Sequence, residues 1–231
     1  MSGDAHSPSF IVAAAGLRAE ARVAARVPQV RAVAGGGDGG RLEQLIRQEI
    51  AEGAKAILSF GIAAGLASGK GPGTCLVARE VVHGDIRYPT NQAWARRLQS
   101  GLGAAELAII AGVDHPLQSS VEKQALYAET GAVVADMESH FVARLAMEHG
   151  LPSAALRVIA DPAARAVPPA ALAGIGKDGR VDVLAVLAAL ARAPNQLPAM
   201  IGLAADTRRA MAALLRCHRL LGPGFGFFDL G

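Results

Sequence analysis

Cysteine, charge of one sign and long apolar runs are all scarce in this sequence, and each shortage removes a class of protein. Two cysteines, Cys75 and Cys217, cannot build a disulfide framework, and no pair or cluster has zinc spacing, so no metal and no cofactor is expected. Basic residues number 23 against 20 acidic ones, a net charge of +3, which is too small for a nucleic-acid footprint. No apolar stretch reaches the roughly 18–20 residues of a membrane-spanning helix. The opening MSGDAHSPS has neither the basic nor the apolar region of a signal peptide, so a cytoplasmic protein is expected. The phosphate-binding G-K-[ST] ending is missing, and no G-x-G-x-x-G follows the first strand, which argues against a Rossmann oxidoreductase. Basic residues do gather at Arg208, Arg209, Arg216, His218 and Arg219. They suit a solvated helix face or, alternatively, peripheral contact with a membrane.

What is present is an α/β pattern. Hydrophobic residues make up 52% of the 231, enough for a substantial core in one domain over 1–231. Apolar runs predict strands at Phe10–Ala15, Val30–Ala34, Lys55–Phe60, Thr74–Val82, Leu107–Ala111, Ala132–Ala135 and Ala154–Ala160. Helices are expected at Leu17–Arg26, Arg41–Glu52, Asn91–Leu102, Ser119–Glu129, Met137–His149, Val181–Arg192 and about Ala205–Leu221. The segment Pro162–Arg180, rich in Pro, Gly and Ala, reads as an irregular loop. Continuous apolar strands alternating with helices indicate a mixed, mainly parallel central sheet flanked by helices in three layers.

Ligands bind such sheets at the carboxyl ends of the strands, so polar residues just beyond those ends are the candidates. Asp161 follows the strand ALRVIA. Burial there would raise its pKa towards a general acid's, although Asp-Pro is also a common turn. Glu138 suits either the start of a helix or, with two acceptor oxygens, a pair of neighbouring hydroxyls. The run Gly35-Gly36-Gly37-Asp38-Gly39-Gly40 between a strand and a helix reads as a phosphate cradle or as a flexible turn. Glu20 lies on the first turns of a helix leaving strand one, where most glutamates are solvated. His83 and His115 are lone histidines, more in keeping with loop or core residues than with ligands.

The order of these features resembles the purine nucleoside phosphorylase and methylthioadenosine/adenosylhomocysteine nucleosidase superfamily. The likeness rests on Met137-Glu138 opening a helix, on Arg157 to Asp161 ending a strand, on Phe60-Gly61-Ile62-Ala63-Ala64-Gly65-Leu66 with the GPGTCLVAREVV that follows, and on the turn Gly16 to Glu20. It covers roughly residues 10–161, and its details are most similar to the hopanoid-associated branch, which acts on adenosylhopane. The resemblance implies cleavage of the base–ribose bond of a purine nucleoside. Asp161 would protonate N7, Glu138 would hold the ribose hydroxyls with Met137 packed on the sugar, and Glu20 would activate water. Gly35, Gly36 and Gly37 would sit near water or phosphate, and Gly61, Ala63 and Ala64 in the base pocket. It also implies a homo-oligomer with a small nucleoside as partner. The sequence departs from the family at Ala160, where the nucleosidases carry Ser, and around Val113-Asp114-His115, which lacks their base-stacking aromatic. Phe225, Phe227 and Phe228 either dock on the core or a neighbouring subunit, or line an apolar pocket for a 5′ group.

Overall fold

Strand β1 (Ile11–Ala15) is buried along its whole length because both of its faces are covered. Its alternation divides the core. Ile11 and Ala13 face one side with Leu58, Phe60, Trp94, Leu156 and Leu214. Phe10, Val12 and Ala14 face the other with Leu42, Ile46, Val142 and Leu145. The computed structural model describes residues 9–173 and 182–230. The elements after β1 are α1 (Arg18–Ala24), β2 (Val30–Ala34), α2 (Gly39–Ala51), β3 (Ile57–Gly65), β4 (Cys75–His83), β5 (Ile86–Pro89) and α3 (Gln92–Leu102). They continue as β6 (Glu106–Gly112), α4 (Ser120–Thr130), β7 (Val134–Asp136), α5 (Ser139–Glu148), β8 (Ser153–Asp161), α6 (Pro169–Ala173), α7 (Val183–Arg192) and α8 (Leu197–Leu220).

The eight strands form one mixed sheet, and the expected mainly parallel architecture is present: a single-domain α/β fold. The pairs β1–β2, β1–β3, β3–β8, β4–β6 and β6–β7 are parallel, whereas β3–β7, β4–β5 and β4–β8 are antiparallel. Because β3 pairs with both β7 and β8, the strands β3, β8, β4, β6 and β7 close into a ring. That closure draws the ends of β3, β7 and β8 together beside the end of β1.

Several elements differ from the sequence expectation. Strand β3 continues four residues past Gly61, held by pairing with β8 on one edge and β7 on the other, with an irregularity between Ala63 and Ala64. The short β5 forms a hairpin with β4 across Gly84, whose φ of +54° suits glycine. Helix α5 begins at Ser139, two residues later than expected, and the turn before it is held by Asp136, whose Oδ1 accepts from the Glu138 and Ser139 N–H groups at 2.8 and 2.6 Å. The segment read as irregular contains α6, and its residues 174–180 lie outside the described residues, as does Val181 of the expected helix. Helix α8 starts at Leu197, well before Ala205, with Pro198 in its first turn where a proline is tolerated.

The C-terminal phenylalanines belong to the core. Phe225 is fully buried and packs on Phe60 at 5.2 Å between ring centres, and its carbonyl accepts from Trp94 Nε1 at 3.0 Å. Phe227 packs on Trp94 and Phe228 on Phe227. None of the three lines the cavity described below, so the pocket-lining alternative is overturned. Among the described residues, no single helix is long and apolar enough to cross a membrane. Arg208, Arg209, Arg216 and Arg219 are exposed on α8.

Candidate active site

A cavity of about 220 Å³ opens where the ends of β1, β3, β7 and β8 meet. Besides Asp136, whose carboxylate is taken up by Arg157 and Ser139, three carboxylates reach it from separate elements: Glu20 from α1, Glu138 between β7 and α5, and Asp161 at the end of β8. All three are buried. Sequence reasoning had named each of them, and the fold brings them together.

Glu20 is held from both sides. Its Oε2 accepts from the Leu17 N–H at 2.7 Å, capping its own helix, and its Oε1 accepts from the Ile62 N–H of β3 at 2.8 Å. Burial lifts its carboxyl above the ordinary range, against the Ile62 N–H and the Arg157 charge. It is therefore no solvated helix residue.

Glu138 lies against Gly16, where a Cβ would come within 2.6 Å of its Oε1. Burial pushes its pKa up to about 8, helped by the charges of Asp136 and Glu20 and opposed by Arg157. It stands at the start of α5, but its side chain makes no cap and points to the cavity.

Beneath these carboxylates is Arg157, from the middle of β8 and fully buried. Its Nε is 3.0 Å from Asp136 Oδ2, its Nη2 is 3.3 Å from Glu138 Oε2, and the same nitrogen donates to Ser59 Oγ. A guanidinium presents five donors in a fixed plane, so one side chain can anchor several acceptors. Gly61 makes room for this arrangement. A Cβ there would lie 2.6 Å from Arg157 Nη1 and 2.8 Å from Glu20 Oε1. Gly61 is thus underneath the carboxylates, while Ala63 and Ala64 do line the cavity.

Asp161 pairs with Lys123, a fully buried ammonium on α4 that also donates to the carbonyls of Pro162 at 3.2 Å and Arg165 at 2.9 Å. Burial raises the Asp161 pKa, and Lys123 pulls it back. Sequence reasoning missed Lys123 and gave Arg157 no role of its own. Lys123 stands on a helix whose other charged residues are solvated, and nothing local marks it.

The glycine loop divides. The Gly35 and Gly36 N–H groups donate to the carbonyls of Ala15 and Gly16 at 3.0 and 2.9 Å, extending the β1–β2 ladder, and only Gly37 lines the cavity. The loop's aspartate is accounted for by helix capping: Asp38 Oδ1 accepts from the Arg41 N–H at 3.0 Å. Met137 lines the cavity, as do Leu17, Val113, Pro116, Leu117 and Leu172. No lysine or arginine is among the described lining residues.

A model of the family described as the phosphorylase superfamily matches residues 12–197. No curated protein sequence matches the chain. Among solved structures, the chain is similar to a 5′-methylthioadenosine/S-adenosylhomocysteine nucleosidase from Helicobacter pylori with butyl-thio-DADMe-Immucillin-A, at 17% identity and a TM-score of 0.66, covering 90% of this chain and 97% of that one. The futalosine hydrolase of the same organism is 17% identical with a TM-score of 0.62, covering 91% and 97%. The 5′-methylthioadenosine/S-adenosylhomocysteine nucleosidase of S. pneumoniae, with a transition-state inhibitor, is 14% identical with a TM-score of 0.63, covering 92% and 99%. At such identities the structural likeness establishes the fold.

Proposed function

Because the chain belongs to the phosphorylase superfamily, an enzyme class that cleaves nucleosides, we propose that it breaks the N-glycosidic bond of an adenine nucleoside by hydrolysis. The observation that carries this reading is the convergence of Glu20, Glu138 and Asp161 on one cavity. Cleavage of a ribosyl C–N bond develops positive charge on the sugar and negative charge on the base. Asp161, with a raised pKa, is the acid that protonates N7 of the departing purine. Glu138 binds the ribose hydroxyls, with Met137 against the sugar. Glu20 takes the proton from the attacking water.

Water is favoured over phosphate by charge. A phosphate dianion in this cavity would face Glu20, which must be ionised to take a proton from water, without a lysine or arginine among the described lining residues, and low dielectric strengthens that repulsion. The Gly35 and Gly36 N–H groups are already used, so they add no anion cradle.

The 5′ substituent is a bulky apolar group such as that of adenosylhopane. Leu117 and Leu172 line the cavity, and α6, which carries Leu172, packs against α7, where Val183, Leu184 and Leu187 are exposed. Apolar surface buried there contributes about 25 cal/mol per Å². The exposed side chains of this region also support a homo-oligomer, which light scattering at micromolar concentration would detect, and a monomer would refute.

The test is product analysis with adenosine, methylthioadenosine and a long-chain 5′-alkyl adenosine, with and without phosphate. Free ribose products in both conditions, and preference for the long-chain substrate, are expected. Ribose-1-phosphate formed only when phosphate is present would overturn hydrolysis. Binding without base release would mean that the chain only holds nucleosides. Asp161→Asn should lower base release about 10²–10⁴-fold. It also changes the partner of the buried Lys123, so the folded fraction must be measured alongside.

A further inference from the structure

Beyond the cavity, the ends of β4 and β6 carry a second cluster. His83 closes β4, Asp114 follows β6, and His140 is the second residue of α5. Among the described residues, these three form the one group of His, Cys, Asp and Glu side chains whose donor atoms all lie within 4.8 Å of one another. His140 Nε2 is 3.5 Å and His83 Nε2 3.9 Å from Asp114 Oδ1.

His140 is 5% exposed, and neither of its ring nitrogens has a hydrogen-bond partner. Polar atoms at that depth are almost always satisfied, so an exception calls for a cause. The imidazole is not there by loose packing. A Cβ on Gly112 would lie 2.4 Å from the His140 Cβ, so the strand end must be glycine for the ring to fit. His83 is oriented as well. Its Nδ1 lies 3.1 Å from the Gly112 carbonyl oxygen, which can only accept, so Nδ1 carries a proton and Nε2 is the nitrogen left to face a ligand. A backbone carbonyl behind one imidazole nitrogen is the usual support for a metal ligand at the other.

We propose that His83, Asp114 and His140 bind one divalent transition-metal ion, best matched by Zn²⁺, through two imidazole nitrogens and one carboxylate oxygen. Asp114 and His83 keep a solvent-facing side, with side chains 63% and 34% exposed, so the fourth position is water. Two nitrogens and an oxygen suit zinc better than the oxygen-seeking magnesium or calcium. Donors held at roughly 2.0–2.1 Å by a tetrahedral ion lie about 3.3 Å apart. His140 and Asp114 are already near that separation. The two imidazoles are stacked, with centres 4.3 Å apart and planes within 8°. Parallel rings cannot both aim in-plane lone pairs at one ion, so His83, the more exposed, tilts inward on binding. The start of α5 is the positive end of a helix, and the carboxylates of Asp114 and Asp136 offset it. Val113, Pro116 and Leu117, from the Asp114 loop, line the cavity, so an ion joining that loop to β4 and α5 would brace the cavity wall.

The experiment uses the full chain, stripped with a chelator and titrated with Zn²⁺ by calorimetry and with Co²⁺ by absorption. One equivalent should bind. His83→Ala and Asp114→Asn, both at exposed or half-exposed side chains, should each weaken binding by at least the roughly tenfold that even an outer-shell change costs. His115→Ala, at the exposed neighbouring histidine, should leave it unchanged. The proposal fails if the wild type binds no stoichiometric Zn²⁺, or if affinity survives both His83→Ala and Asp114→Asn. It also fails if Co²⁺ shows thiolate charge-transfer absorption, which would place the ion on Cys75 and Cys217, whose sulfurs are 3.5 Å apart.

Discussion

Each carboxylate in the cavity owes its character to one or two neighbours that the linear sequence places far away. Asp161 is balanced between burial, which raises its pKa, and Lys123, which lowers it. Lys123→Met removes the second influence, so the Asp161 pKa should rise further. If Asp161 must be protonated to act, activity is lost as pH rises through that pKa, and the variant's alkaline limb should move to higher pH. The pH–rate profile of base release checks this, and a shift downward would contradict the acid role. For Glu138 the raised pKa, about 8, bears on stability. The folded chain keeps a proton that the unfolded chain releases near 4.5, so this contribution is complete below about pH 4.5 and is lost as pH rises to about 8. Glu138→Gln cannot titrate. Its stability should therefore fall less than the wild type's between about pH 5 and about pH 8, by on the order of a few kcal/mol, in denaturant melts at the two values. Equal losses would mean that Glu138 is ionised throughout.

At the scale of elements, two glycine-rich stretches that look alike in sequence do different work. In the loop before α2, Asp38 is a helix cap that does not itself line the cavity, and Asp38→Ala should cost roughly 1 kcal/mol of stability while leaving the rate of base release within about twofold. In β3, Gly61 is the floor under Glu20 and Arg157. Gly61→Ala forces a methyl group against both, at about 1–3 kcal/mol for overpacking, and should lower base release more than tenfold by displacing Glu20. Thermal melts and single-turnover rates of the two variants separate the cases. If Gly61→Ala melted and turned over like the wild type, the packing under Glu20 would have no catalytic consequence. The strand and helix patterns were legible where apolar runs were long, as in β1, β2, β8 and α2. They failed where pairing, not composition, decided the conformation. The glycines and alanines after Phe60 stay extended because β8 pairs with them as far as Ala64 and β7 takes up Ala64 and Gly65.

For the whole molecule, the C-terminal segment ties α8 and α3 to the core through Phe225 and Trp94, away from the cavity. Phe225→Ala should therefore cost about 3–5 kcal/mol of stability without changing the ratio of rates on long-chain and methylthio substrates. A changed ratio in the folded variant would place the C-terminus at the 5′ group after all. The ring of strands β3, β8, β4, β6 and β7 is what makes one site out of residues spread from Glu20 to Asp161.

By itself the sequence determined the layered α/β pattern, because burying a sheet on both faces requires apolar strands between amphipathic helices. It also offered the three carboxylates as candidates, because Gly16, Asp136 and Asp161 stand where strands end and strand ends are where such sheets leave an opening, while their roles came from the family resemblance. What only the tertiary structure decided is which charges meet. Lys123 and Asp161 are 38 residues apart, and Arg157 reaches Asp136, Glu138 and Ser59 together. His83, Asp114 and His140 have no shared spacing at all and converge only because β4 pairs with β6 and α5 packs beside them. Contacts of that kind depend on strand order and register, which are settled by the closing of the whole sheet and not by the residues on either side of any one of them.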